Sequence, residues 1–149
     1  MLVRYSASLF AALFMNMVSA NPKTTENKEN DLTEQQTIHL VDKQIAAYNA
    51  RDIDAFAATY HDDAEIYVYP NQLLLKGKTA LIERYKQTFT ALTMLRATSV
   101  QRIVKGNYLV DLERAESSTH PSQEVTRRVE LIATYEIEDG LIKRVTFKR

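Results

Sequence analysis

Residues 44–64 read QIAAYNARDIDAFAATYHDDA, and this stretch decides the fold. Its first part continues a helical repeat of apolar residues, namely Ile38, Val41, Ile45 and Tyr48. Asp52 is placed to cap a second, short helix, which the polar residues 61–63 end. The stretch therefore predicts two consecutive helices and, from Ala64, the start of a strand.

Upstream, Thr33 and Gln36 have the spacing of a capping box, so the first helix is predicted over about residues 33–50. Downstream, a strand is predicted over 64–69 and a third helix over about 78–92. The remaining segments are rich in alternating apolar residues and predict strands over 98–105, 108–118, 125–138 and 141–148. Because the helices come early and the strands late, we expect an α+β fold with helices on one face of an antiparallel sheet.

The chain has 149 residues, with 19 basic and 19 acidic side chains and no cysteine. This length fits a single domain. The lack of cysteine excludes disulfides, thiolate metal sites and a cysteine nucleophile. The balanced charge argues against a general nucleic-acid binder, so we expect no nucleic-acid partner.

Residues 1–20 have the pattern of a secretory signal peptide. Arg4 precedes an apolar run of about fourteen residues, and Val18-Ser19-Ala20 supplies small residues at the cleavage position. We therefore expect cleavage after Ala20, export to the periplasm or the extracellular space, and no membrane span afterwards. Residues 21–34 are polar and predict a flexible linker, which leaves residues 35–149 for the folded domain.

Four motifs resemble the nuclear transport factor 2-like superfamily, which includes ketosteroid isomerases and SnoaL-like polyketide cyclases. They lie at residues 47–54 (AYNARDID), 60–64 (YHDDA), 76–82 (KGKTALI) and 135–142 (YEIEDGLI). The resemblance implies a cone-shaped α+β barrel, with three N-terminal helices packed on a curved antiparallel sheet around a central cavity. It also implies that a small, mostly apolar or aromatic molecule binds in the cavity and that the other sheet face forms a homodimer.

The isomerases of this superfamily use a tyrosine, a carboxylate base and a protonated carboxyl group. The resemblance carries these positions onto Gln44, Val68 (or Tyr69 with a slip of one residue) and Ala133. Valine and alanine cannot exchange protons, and an amide is a far weaker acid than a phenol. We therefore expect no steroid isomerase activity by that mechanism.

Strand alternation and the resemblance together give the expected cavity residues. In the strand 108–118, the apolar residues Tyr108, Val110 and Leu112 are predicted to face the cavity. Arg114 and Glu116 follow on the same face, so Asp111 and Glu113 would point outward; pairing of Leu112 with Val129 would set Glu113 opposite Arg128. The expected ligand-binding residues are Gln44, Tyr60, Tyr67, Tyr69, Tyr85, Phe89, Arg114 and Tyr135.

Alternatives remain for several of these residues. Either the Tyr67 and Tyr69 pair or the Ile66 and Val68 pair lines the cavity. Tyr60 and Tyr85 also fit a role as core aromatics, and Arg114 fits a solvated or paired position at the rim.

His61 and Glu116 are the side chains expected to act as acid or base, if there is a reaction. Each residue also has a purely structural interpretation. Residues 61–63 fit the end of a helix, and Glu116 fits an ion pair with Arg114 at the rim of the cavity. We expect no metal and no cofactor. The two main functions are a SnoaL-like domain with acid–base catalysis and a non-enzymatic ligand-binding or dimerisation module. A steroid isomerase with relocated catalytic groups is a third, less favoured alternative.

Overall fold

In the computed structural model, the structure describes residues 33–122 and 124–149. The predicted signal peptide, residues 1–20, and most of the predicted linker therefore lie outside the described residues. Within the described ranges, none of the helices has the length and apolarity needed to cross a membrane.

Three helices pack on one face of a curved, unclosed six-stranded sheet, which confirms the predicted α+β cone fold. The helices are α1 (Glu34–Ala50), α2 (Ile53–Ala58) and α3 (Lys78–Ala91). The strands are β1 (Tyr60–Val68), β2 (Gln72–Lys76), β3 (Met94–Lys105), β4 (Tyr108–Ser118), β5 (Arg127–Glu138) and β6 (Leu141–Lys148).

Short-range hydrogen bonds set the element boundaries where the sequence predicts them. The Thr33 hydroxyl accepts a bond from the Gln36 amide at 3.3 Å, and the Gln36 side chain accepts one from the Thr33 amide at 2.9 Å. The Asp52 carboxylate caps α2 by accepting a bond from the Ala55 amide at 2.9 Å. These contacts satisfy amides that the first helical turn leaves unpaired.

The strand order is β2-β1-β6-β5-β4-β3, and β1 runs parallel to β6 whereas the other neighbouring strands are antiparallel. Strand β2 is not predicted from the sequence, and β1 begins at Tyr60, four residues before its predicted start. Strand β2 is a short, largely exposed edge strand, held by its pairing with β1 rather than by burial of its own side chains. Local sequence therefore gives little signal for it.

The predicted orientation of β4 is wrong. Leu109, Asp111 and Glu113 face the helices and are buried, whereas Val110 and Arg114 lie on the outer face. The expected pairing is also wrong, because Glu113 pairs with Leu131 and Leu112 with Ile132. The prediction assumed that the more apolar face of the strand is the buried one, and in β4 the buried face carries two carboxyl groups.

Arg102 explains why Asp111 is tolerated inside. Its guanidinium donates two hydrogen bonds of 2.7 Å to Asp111, which has no solvent-exposed area, and a third of 2.7 Å to Asp42 on α1. A bulge at Val100 shifts the alternation of β3, so that Arg102 faces inward opposite Asp111. A buried carboxylate is stable when a bidentate arginine compensates its charge.

The helix layer is fixed to the sheet by further polar contacts and by aromatic packing. The Asn49 side chain bonds both the amide and the carbonyl of Ala97 on the edge strand β3, at 2.7 Å and 2.9 Å. Tyr48, Phe56, Tyr85 and Phe89 stack edge-on or tilted with centroid distances of 4.5–6.2 Å. Rings in these orientations attract one another in addition to the area that they bury.

We expect Arg102→Met to lower the free energy of unfolding by about 3–5 kcal/mol, because Asp111 would be left buried without a counter-charge. The same substitution at Arg114, which pairs with the exposed Glu130 at 2.9 Å, should cost at most about 1 kcal/mol. Urea unfolding followed by circular dichroism measures both values. Equal losses in the two variants would contradict the role given to Arg102.

Candidate functional site

A cavity of about 560 Å³ lies between the helices and the inner face of the sheet. Its wall is largely apolar, and the residues that give it this character include Ile45, Val68, Leu92, Ala97, Ala115, Val129, Leu131 and Phe147. Its polar lining residues include the buried Gln44, Glu113 and Tyr135 and the exposed Arg127, Lys148 and Arg149. A cavity of this size and composition suits a small organic molecule.

Glu113 is the titratable group at the buried end of the cavity. It is 6% exposed, and its carboxyl group accepts a hydrogen bond of 2.5 Å from the hydroxyl of Tyr135. Burial raises the pKa of Glu113, the nearby Asp111 raises it further, and the Tyr135 hydrogen bond and Arg102 oppose the increase. A carboxyl group with a raised pKa can act as acid or base near neutral pH.

Tyr48 and Tyr85 place two further hydroxyl groups in the wall of the cavity. Burial raises the pKa of Tyr48 to about 12, with a second contribution from Glu113. Burial also raises the pKa of Tyr85, and Tyr48 and Glu113 add to the increase. Both phenols therefore stay protonated at neutral pH and can donate hydrogen bonds to a ligand.

Gln44 presents an unpaired amide atom at the cavity. Its Nε2 donates to the hydroxyl of Tyr60 at 3.1 Å, whereas its buried Oε1 has no hydrogen-bond partner among the residues that the structure describes. Burial of such an atom is unfavourable unless a ligand or water completes its bonding. The orphaned amide is therefore a polar contact point for a bound molecule.

The mouth of the cavity carries positive charge. Arg127, Lys148 and Arg149 are exposed and belong to the cavity lining, together with the exposed side chains of Tyr69 and Leu74. Arg127 lies on the inner face of β5, because it pairs with Ser117, another lining residue. The ammonium group of Lys148 lies 4.6 Å from the ring centre of Tyr69.

Four of the residues predicted for the cavity lie in its wall: Gln44, Tyr69, Tyr85 and Tyr135. Three others do not line it. Tyr60 and Phe89 are buried in the core behind it. Tyr67 lies on the outer face, where its hydroxyl donates to Glu65 at 3.0 Å and the Arg144 guanidinium lies over its ring. Ile66 points into the core and Val68 into the cavity, so this pair forms the inner face of β1, and Tyr69, directly after the strand, also belongs to the lining.

The prediction that Arg114 faces the cavity is wrong. Arg114 pairs across the outer face with Glu130 at 2.9 Å. Glu116 borders the cavity, but its carboxylate is held by Arg96 at 2.6 Å and by Arg128 at 2.7 Å. These two arginines keep the pKa of Glu116 below its ordinary value, which does not suit a proton acceptor at neutral pH.

His61 lies outside the cavity lining. Among the described residues, it belongs to a group of side chains that are close enough together to hold a metal ion. Ligand atoms of His61, Glu138 and Asp139 lie within 4.8 Å of one another. The ammonium group of Lys143 lies 3.4 Å from His61 Nδ1 and 3.4 Å from the Glu138 carboxylate. Lys143 thus already supplies a positive charge to this cluster, so we assign no metal or catalytic role to it.

Sequence reasoning missed Glu113 and Tyr48 as cavity residues. Tyr48 was placed on the apolar stripe of the first helix, where an aromatic residue is usually a core residue. Glu113 follows Asp111 at a spacing of two, and Arg102 precedes both in the neighbouring strand. That combination of two carboxyl groups on one strand face and a basic residue across from it was the available signal.

A family model described as SnoaL-like domain matches residues 41–145. No curated protein matches the chain. Among solved structures, a cystatin-fold protein from Novosphingobium aromaticivorans is 23% identical with a TM-score of 0.69, over 76% of this chain and 97% of that one.

Two further structures are similar. A candidate SnoaL-like polyketide cyclase from Jannaschia sp. is 18% identical with a TM-score of 0.63, over 76% of this chain and 85% of that one. A candidate ketosteroid isomerase from Kribbella flavida is 18% identical with a TM-score of 0.64, over 77% and 78%. At these identities the structures show a shared fold.

We expect Tyr135→Phe to raise the pKa of Glu113 further, because the lost hydrogen bond stabilises the charged carboxylate. Carbon-13 NMR of the glutamate carboxyl groups against pH measures this shift. Tyr67→Phe removes a comparable bond to Glu65 on the outer face and should leave the Glu113 titration unchanged. A downward or absent shift in Tyr135→Phe would contradict the assignment.

Proposed function

The chain belongs to the SnoaL-like domain family, and we propose that its cavity binds a small, mostly apolar molecule and moves a proton through Glu113. The observation that carries this proposal is the buried Glu113 carboxyl group in the cavity wall, with its raised pKa and its bond to Tyr135. The N-terminal pattern of residues 1–20 supports export as the setting of this activity.

The reaction class that fits best is proton abstraction next to a carbonyl group. The ionised Glu113 carboxylate takes the proton from carbon, and the electron pair of the broken C–H bond moves onto the carbonyl oxygen. Tyr48 and Tyr85 remain protonated and can donate hydrogen bonds to the oxygen as its charge develops. Glu113 then returns its proton to the same or a neighbouring atom of the ligand, so no cofactor is needed for this step.

The steroid isomerase mechanism has no support in this cavity. Gln44 and Val68 line it, and Ala133 is fully buried in the sheet, so none of the three positions supplies an acid or a base. Glu113 lies on β4, whereas these three positions lie on α1, β1 and β5. The acid–base group of this chain is thus at another place in the fold.

We expect the protein to exchange the α-protons of beta-tetralone, a flat bicyclic ketone, for deuterium faster than buffer does. Glu113→Gln should lower that rate by at least about 100-fold, the usual contribution of a positioned general base. Glu130→Gln, an exposed position on the outer face of β5, is the matched control and should keep the rate. Proton NMR in deuterium oxide measures the exchange.

The pH profile provides an independent check of this assignment. The exchange rate should rise as Glu113 ionises, with a midpoint above the ordinary range of glutamate because its pKa is raised. Bound beta-tetralone without exchange, or equal rates in wild type and Glu113→Gln, would favour the non-enzymatic binding module.

We also propose that the outer face of the sheet forms a homodimer. Ile103 pairs with Val110, and Leu112 pairs with Ile132, so these residues make two adjacent apolar rows. Ile103 is 67% exposed and Ile132 is 42% exposed. Exposed apolar rows on a sheet face are typical of an interface, and a second copy would present the same rows.

We expect light scattering coupled to size exclusion to give the mass of a dimer for the wild type. Ile132→Glu should yield a monomer, because a charge would be buried in the apolar centre of the interface. Val125→Glu, which changes another exposed apolar residue just before β5, should remain dimeric. A monomeric wild type would refute this proposal without bearing on Glu113.

A further inference from the structure

The basic residues at the mouth of the cavity differ from the other basic residues of the sheet in having no carboxylate partner among the described residues. Arg96, Arg114, Arg128 and Arg144 each pair with a carboxylate on the outer face. Arg127, Lys148 and Arg149 form no ion pair with any residue in ranges 33–122 and 124–149, although all three line the cavity. The positive charge left over in the described sheet is thus concentrated at the cavity entrance.

The carboxyl groups of the cavity lining do not balance this charge. Glu116 is already held by Arg96 and Arg128. Glu113 is buried and bound to Tyr135, and it forms no ion pair with a basic residue in the described part of the chain. The entrance therefore has a net positive charge beside an apolar interior.

Strand geometry directs Arg127 at the cavity, and Arg149 lines the cavity from the end of the last strand. Arg127 alternates with Val129 and Leu131 along the inner face of β5, and both of those residues line the cavity. Arg149 directly follows the end of β6, and it also belongs to the cavity lining. Lys148 instead lies over the Tyr69 ring at the rim.

We propose that the ligand of this cavity is an amphipathic carboxylate. Its apolar body occupies the interior, and its carboxylate lies at the mouth between Arg127 and Arg149, with Lys148 adding long-range attraction. Guanidinium groups bind carboxylates through paired, charge-assisted hydrogen bonds. This inference rests on the proposed binding function of the cavity, and it specifies the chemical class of the molecule that enters.

The test compares two probes that share a naphthalene ring, naphthoate with a charged carboxylate and naphthylmethanol with a neutral hydroxymethyl group, by isothermal titration calorimetry. We expect the wild type to bind naphthoate about tenfold more tightly, as expected for a charge-assisted contact. The Arg127→Gln/Arg149→Gln double variant should lose this preference and keep its affinity for naphthylmethanol. Arg114→Gln removes a positive charge from the outer face and should bind both probes as the wild type does.

Salt provides a second measurement, since the rim cations are exposed and screened. The preference of the wild type for naphthoate should shrink between low and high salt, and the affinity for naphthylmethanol should stay constant. Equal binding of the two probes, or a preference that survives in the double variant, would overturn this inference and leave the cavity proposal intact. If neither probe bound, both the inference and the proposed binding function would fail.

Discussion

The contact of Arg102 with Asp111 and Asp42 is the constraint on which the rest of the architecture depends. It joins the edge strand β3, its neighbour β4 and the helix α1 through three charge-assisted hydrogen bonds. Asp111 is fully buried, so its charge is acceptable only while the guanidinium stays in place. The bulge at Val100 is what brings Arg102 to the inner face. One local irregularity thereby fixes the orientation of two strands and their distance from the helix.

The orientation of β4 in turn creates the site. Because side chains alternate along a strand, fixing Asp111 inside also fixes Glu113 inside, two residues further on. Among the residues that the structure describes, the Glu113 carboxyl group bonds to the hydroxyl of Tyr135 and to no arginine. Burial then raises its pKa, whereas Glu116, on the opposite face between two arginines, has a lowered pKa. Two glutamates three residues apart thus differ in proton affinity because they face different environments.

The same alternation explains the composition of the outer face. With Asp111 and Glu113 directed inward, the apolar residues Val110 and Leu112 lie on the side away from the helices. In a monomer this arrangement does not add to stability, because the apolar side chains on the outer face remain partly exposed to water. The arrangement is favourable if a second copy covers that face, so the buried site and the proposed dimer have one origin in the orientation of β4.

The sequence by itself determined the elements that depend on neighbouring residues. The Thr33 and Asp52 caps, three helices, five of the six strands and the superfamily resemblance all follow from spacing and side-chain type. Gln44, Tyr69, Tyr85 and Tyr135 were also placed at the cavity from the sequence. Only the tertiary structure decided which face of β4 is buried. Both faces of this strand carry apolar residues, so alternation alone does not distinguish them. The residue that does, Arg102, lies on the neighbouring strand after a bulge. Strand β2 and the position of Glu113 in the cavity could not be predicted for the same reason. Both depend on pairing between strands, which local residue preferences do not indicate.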